Sequence, residues 1–241
     1  MGEVCQARRH CRDAAWRSAE RQRQACHQAA SAVQSGSRAA RAFFESMTMS
    51  TANLNVDDDQ IIAATERWLE RAVIGLNLCP FAKAVHVKQQ VRYVVSSAMT
   101  PEALLEQLME ELQRLSDSDP EVVDTTLLIH PFVLTDFLDY NEFLDVADAA
   151  VEDMQLDGEI QVASFHPQYQ FADTDINDIA NYTNRAPYPI LHLLREASID
   201  RAVEAFPEAE DIFEKNMETM ENLGHDGWDA LDVGPASGPA K

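Results

Sequence analysis

Two short apolar runs in this chain stop at the same dipeptide. Leu127-Leu128-Ile129 ends in His130-Pro131, and the run that begins at Ile160 ends in Phe165-His166-Pro167. Proline confines the preceding residue to extended backbone and has no N–H for a sheet ladder, so each pair reads as the stop of a buried strand. Each histidine is thereby held at a strand's carboxyl end. In sheets whose strands are separated by single helices, ligand sites lie beyond those ends, which makes the two histidines candidates for one shared pocket.

The pattern around the runs alternates. Asp57 to Asp59 cap a predicted helix whose face carries Ile61, Ile62, Thr65, Trp68, Leu69, Ala72, Val73 and Leu76, and Pro80 blocks its continuation. Val91 to Ser96 is β-branched and aromatic and reads as a strand. Thr100-Pro101 opens a helix with a stripe at Leu104, Leu105, Leu108, Met109, Leu112 and Leu115, followed by a strand from Thr125 to His130. Asp139 and Glu142 read as a capping box for a helix carrying Phe143, Leu144, Ala147, Val151 and Met154, and Ile160 to Ser164 is a third strand. Helix and strand in strict alternation predict an α/β fold: a small, mostly parallel sheet of three or more strands packed with helices. The C-terminal part reads as helical. We expect a short helix over Thr174 to Tyr182, a helix from Pro189 through Ala197, a segment capped by Ser198, and a last helix from Pro207 to Leu223-Gly224.

The ends differ from this body. The formal net charge is −22, but residues 1–46 hold eight Arg against four Asp or Glu, so the remainder carries −26. Residues 1–52 read as a disordered extension, conceivable as translation from an upstream start, 53–224 as a single α/β domain, and 225–241 as a flexible tail. Cys5, Cys11, Cys26, His10 and His27 match no zinc spacing with a tight cysteine knuckle. A body this acidic repels phosphate backbones and anionic membranes, so no nucleic-acid or membrane partner is expected. Cys79 is the one cysteine of the body, so no disulfide can form within it, which fits a reducing, cytoplasmic compartment.

Four stretches resemble a known family. Trp68-Leu69-Glu70-Arg71-Ala72-Val73-Ile74-Gly75-Leu76-Asn77-Leu78-Cys79-Pro80-Phe81-Ala82 resembles the opening of the proteobacterial domain-of-unknown-function family 1415. Phe165 to Phe171, Asn181 to Pro189 and His192 to Ala197 resemble its later signatures. The resemblance runs from about Ile61 to Leu223 and implies a bacterial, cytoplasmic protein, with no activity to carry over.

The candidate chemistry rests on few residues. Cys79 is a nucleophile or ligand if a positive neighbour holds it as thiolate, and a buried apolar side chain otherwise. His130 and His166 are an acid–base pair or two structural caps. Read as helical, His192, Arg195 and Glu196 share one face. Basic residues are scarce in the body, and Lys83, Lys88 and Arg92, with Arg185, Arg195 and Arg201, form two groups that suit a carboxylate or phosphate. No glycine-rich phosphate loop accompanies them. Asp173, Asp175 and Asp178 lack the glycine and terminal glutamate of a calcium loop.

The resulting expectation is an enzyme, hydrolase-like or transferase-like, acting on a small anionic metabolite. Cys79, His130 and His166 would be catalytic, and Arg185, Arg195, Tyr169, Asn184 and Lys83 would bind substrate. A metal version would draw on His130, His166, His192 and Cys79 for zinc or iron. The alternative is a non-catalytic metabolite- or metal-binding protein using the same pocket. The sequence leaves the oligomeric state open.

Overall fold

The computed structural model describes residues 57–205 and 211–236. The readings of residues 1–52, of the cysteines and histidines within them, and of Pro207 as a helix start lie outside the described residues.

The first helix, α1 (Asp58–Trp68), runs directly into a π-helical stretch at Leu69–Ile74. Asn77, at φ 56°, turns the chain out of it. A short α2 (Ala82–Val87) leads into β1 (Val91–Val95). In α3 (Pro101–Asp117), Thr100 Oγ1 accepts from Ala103 N at 3.3 Å, and proline fills the first turn as expected. Leu104, Leu108, Leu112 and Leu115 of its stripe are wholly buried, each contributing about 2 kcal/mol of transfer free energy. Then follow β2 (Thr125–Ile129), α4 (Phe137–Asp153) and β3 (Ile160–Phe165).

The cap of α4 lies earlier than the sequence suggested. Asp136, not Asp139, accepts from the backbone at Leu138 (2.8 Å) and Asp139 (3.3 Å). The extra turn brings Phe137 and Tyr140 onto the apolar face that Phe143 and Ala147 continue.

The largest departure follows β3. Ile190–Arg195, expected to be helical, is a strand, β4. It lies between β2 and β3, antiparallel to both, and the sheet order is β1-β2-β4-β3. Among the described residues, only β1 and β2 pair in parallel. The sheet is therefore mixed, not mostly parallel, although β1, β2 and β3 all point the same way as the alternation implied. The misreading has a physical source. A six-residue apolar run can be a buried strand or a helix segment, and leucine favours helix on propensity. Pro189, a favoured first residue of a helix, adds to the helical signal, and only the shortness of the run points to a strand.

Three smaller expectations also shift. The helix expected at Thr174 to Tyr182 is a 3-10 turn at Ile179–Asn184, capped by Asp178 through Ala180 N at 2.9 Å. Ser198 falls inside α5 (Glu196–Ala205), not at its start, and donates to Asp124 at 2.5 Å. The helix that starts at Ile212 ends at Gly224 (φ 64°, ψ 177°) as expected, but a second helical segment follows at once, and the two together make α6 (Ile212–Ala230). Residues 225–236 are thus no loose tail: Trp228 and Val233 are buried.

Alternation of side chains along β2 and β4 divides the core. Leu128, Leu191 and Leu193 face α3 and α4. Leu127, Ile129 and Ile190 face α1, α6 and the C-terminal segment.

Candidate functional site

His130 follows β2 by one residue and His166 follows β3, and the parallel sense of these strands puts both at one end of the sheet. Both are fully buried. Their rings flank Tyr140, with centroids 5.6 Å and 5.1 Å from it. Phe137 lies 5.5 Å from His166 and 5.3 Å from Tyr169, so the histidines sit in an aromatic cluster on the α4 side of the sheet. Tyr140 is the residue the sequence reading missed. Its hydroxyl donates to Ile190 O at 2.8 Å and ties α4 to the start of β4.

The loop between Pro131 and Asp136 sets the state of each ring. His130 Nδ1 donates to Val133 O at 2.9 Å, which leaves Nε2 as the bare nitrogen. His166 has the opposite tautomer: Nδ1 accepts from Gln168 N at 3.0 Å, and Nε2 donates to Leu134 O at 3.3 Å. Leu134 takes the left-handed conformation (φ 54°) within this loop. Burial lowers the pKa of His130 to about 4, with the nearby His166 adding to the effect. Burial likewise lowers His166 to about 4, opposed in part by the carbonyl of Leu134 and the charge of Asp136. Both rings are neutral at pH 7. The two nitrogens of His166 are satisfied, whereas His130 Nε2 is buried with no hydrogen-bond partner among the described residues.

The other candidates do not converge here. Cys79 packs beside the cluster of Trp68, Leu127 and Ile129 on the opposite face of the sheet, and burial raises its pKa. His192 shares that face. Thr125 Oγ1 donates its one hydrogen to Leu193 O (2.6 Å), so His192 Nε2 donates to Thr125 Oγ1 at 2.7 Å. Its ring lies 6.0 Å from Phe165, and burial lowers its pKa to about 4. The sheet therefore separates His130 and His166 from His192 and Cys79. Among the described residues, no group of three or more His, Cys, Asp or Glu side chains is placed to hold a metal ion. The donor set drawn from the sequence does not fit zinc or iron.

Arg195 lies on a strand, not on a helical face with His192 and Glu196. It is buried, and its guanidinium donates to the carbonyls of Leu115, Ser118 (2.7 Å) and Val123 (3.3 Å). Arg185 donates to Tyr169 O (3.2 Å) and Ile176 O (2.6 Å) and lies 4.1 Å over the ring of Tyr182. Arg92 forms a two-pronged pair with Glu111, at 2.8 and 3.0 Å. These bonds brace loops and helix ends. Tyr169 is buried beside Phe137 and Phe171, and Asn184 Nδ2 donates to Ser164 O at 3.3 Å. Lys83 is exposed on α2.

The comparison with known families agrees with the motifs. A family model described as "Protein of unknown function (DUF1415)" matches residues 60–230. The chain belongs to this family. No curated protein matches the chain, and no solved structure does. Within the matched DUF1415 segment lie both His-Pro pairs, Tyr140 and the loop that orients the rings.

Proposed function

We propose that this protein binds a small polar metabolite at the carboxyl ends of β2 and β3, with His130 Nε2 as the acceptor that orients it. One observation carries the reading: His130 Nε2 is a buried acceptor with its tautomer fixed and, among the described residues, nothing bonded to it. Such an atom costs about 1–3 kcal/mol unless something supplies a donor. The favoured ligand brings an N–H or O–H group, not an anion. A neutral imidazole lone pair repels negative charge, and the nitrogens of Arg185 and Arg195 described above are committed to backbone carbonyls.

Binding is favoured over acid–base catalysis because a base with pKa near 4 takes protons poorly at neutral pH. The enzyme reading remains the second one, with His130 as a base only if a bound substrate raises its pKa. The ring is fully buried, so entry requires movement of the Pro131–Asp136 loop, whose Phe132 is exposed.

Histidine-ring nitrogen NMR during titration with acetamide, methylurea and ethanolamine tests this. A binding probe should move the Nε2 signal of His130 and leave that of His166 in place. In His130→Asn, whose amide can still donate to Val133 O, the protein should fold and the binding should vanish. Unchanged binding by the folded variant, or no response of Nε2 to any donor, would overturn the proposal.

A further inference from the structure

Among the described residues, the open edge of the sheet is β1. Ser96 N donates to Ile129 O, and Gln90 O accepts from Thr125 N, so Gln90, Arg92, Val94 and Ser96 turn their backbone groups toward β2. By alternation, the N–H and C=O groups of Val91, Tyr93 and Val95 point away from the sheet. No hydrogen bond reaches any of these six groups among the described residues. Sheet edges are ordinarily blunted by proline, a bulge, an unpaired charge or a covering segment. The opposite edge is blunted: Asn184 covers the end of β3, accepting from His166 N and donating to Ser164 O. On β1, the one charged side chain is Arg92, which is neutralised by Glu111 of its own subunit.

A second observation falls on the same edge. The most exposed large apolar side chains among the described residues are Met99 (71%), Val87 (70%) and Val122 (65%). Val87 and Val122 lie at the amino end of β1, where Asp124 N meets Gln90 O, and Met99 lies just past its carboxyl end.

We propose that β1 pairs with β1 of a second copy of this chain, antiparallel about a twofold axis at Tyr93. This register is self-complementary. Tyr93 meets its own copy, and Val91 meets Val95 twice, so the six outward groups of each copy are satisfied by six hydrogen bonds between the two. The antiparallel sense brings the amino end of β1 in one copy, with Val87 and Val122, to the end where Met99 of the other emerges, so exposed apolar side chains gather at both ends of the pair. The strip contributes no unpaired charge, which matters for a chain of net charge −22. The product is a continuous eight-stranded sheet.

Light scattering on the full chain and amide hydrogen exchange test the pairing. The expected wild-type mass is that of a dimer, with the amides of Val91, Tyr93 and Val95 protected and losing protection on dilution. Val87→Asp and Met99→Asp alter exposed side chains, so folding should be kept. Each should raise the dimer dissociation constant by about tenfold or more. A wild-type monomer at every concentration would overturn the proposal, as would a dimer that both variants leave intact while the three amides exchange fast. Protection of these amides in a monomer would also overturn it, since a segment of the same chain would then cover the edge.

Discussion

His130 and His166 hang from neighbouring carbonyls of one loop, His130 from Val133 and His166 from Leu134, and therefore carry opposite tautomers on either side of Tyr140. The arrangement is stable only while both rings are neutral. His166 Nδ1 is an acceptor, and protonating it removes the bond from Gln168 N.

This gives a pH dependence of defined sign. Both rings have folded pKa values near 4, below the ordinary 6.5. Between these values the unfolded chain binds protons that the folded chain excludes, so stability is full above about pH 6.5 and falls as pH drops toward 4. Each ring accounts for about 3 kcal/mol over that window, less if the two titrate together. Denaturant unfolding measured from neutral to mildly acidic pH should show this loss. The slope should shrink in His166→Gln, whose amide can still donate to Leu134 O. An unchanged slope would show that other groups govern acid stability.

Arg195 makes a second prediction. Its guanidinium gathers three carbonyls from the end of α3 and the loop before β2. A lysine keeps the charge but lacks the planar fork, and hydrogen bonds to charged groups contribute about 1.5–3 kcal/mol. Arg195→Lys should therefore lower Tm by about 5–10 °C. Arg201→Lys, at an exposed side chain, should change it little. Phosphate or sulfate should not restore Arg195→Lys beyond chloride at equal ionic strength. Restoration by phosphate would return Arg195 to the role of an anion clamp.

Cys79 should react slowly. Burial raises its pKa, so little thiolate is present near neutral pH. Peptide-resolved alkylation with iodoacetamide should label Cys79 at least about tenfold more slowly in the native protein than after denaturation. Equal rates would restore the nucleophile reading.

Three strands, their direction and the positions of the two histidines were legible because each rested on a local device: β-branched runs, helix caps, and proline after histidine. What was lost depended on distant neighbours. Whether Ile190–Arg195 is helix or strand is decided by the vacancy between β2 and β3, and no residue of the run itself encodes that vacancy. The same misreading placed His192 and Arg195 together on a helical face, whereas on a strand Arg195 turns to α3 and His192 to Thr125. Grouping Cys79 with the histidines failed for a related reason: the π-helical end of α1 approaches the sheet from the other side. Tyr140 is missing from the expected apolar face of α4 because that face starts at Phe143. Extended back in steps of three residues, it reaches Tyr140 and then Phe137.

The C-terminal segment makes the last prediction. Trp228 packs edge-on to Tyr182 at 5.3 Å, and Arg185 lies on that same ring. Beyond it, Arg67 donates to the carbonyls of Asp232 (2.8 Å) and Gly234 (3.2 Å), and Arg71 donates to that of Leu231 (2.9 Å). Gly224 redirects the helix through a conformation that is essentially restricted to glycine, which aims Trp228 at this face. Trp228→Ala should therefore cost about 3 kcal/mol, and Gly224→Ala about 1–3 kcal/mol. Asp229→Ala, on the exposed side of the same turn, should be neutral within about 0.5 kcal/mol. Urea unfolding of the three variants decides the matter. If truncation after Leu223 left the midpoint unchanged, residues 225–236 would be dispensable to the fold and the Trp228 contact would carry no stability.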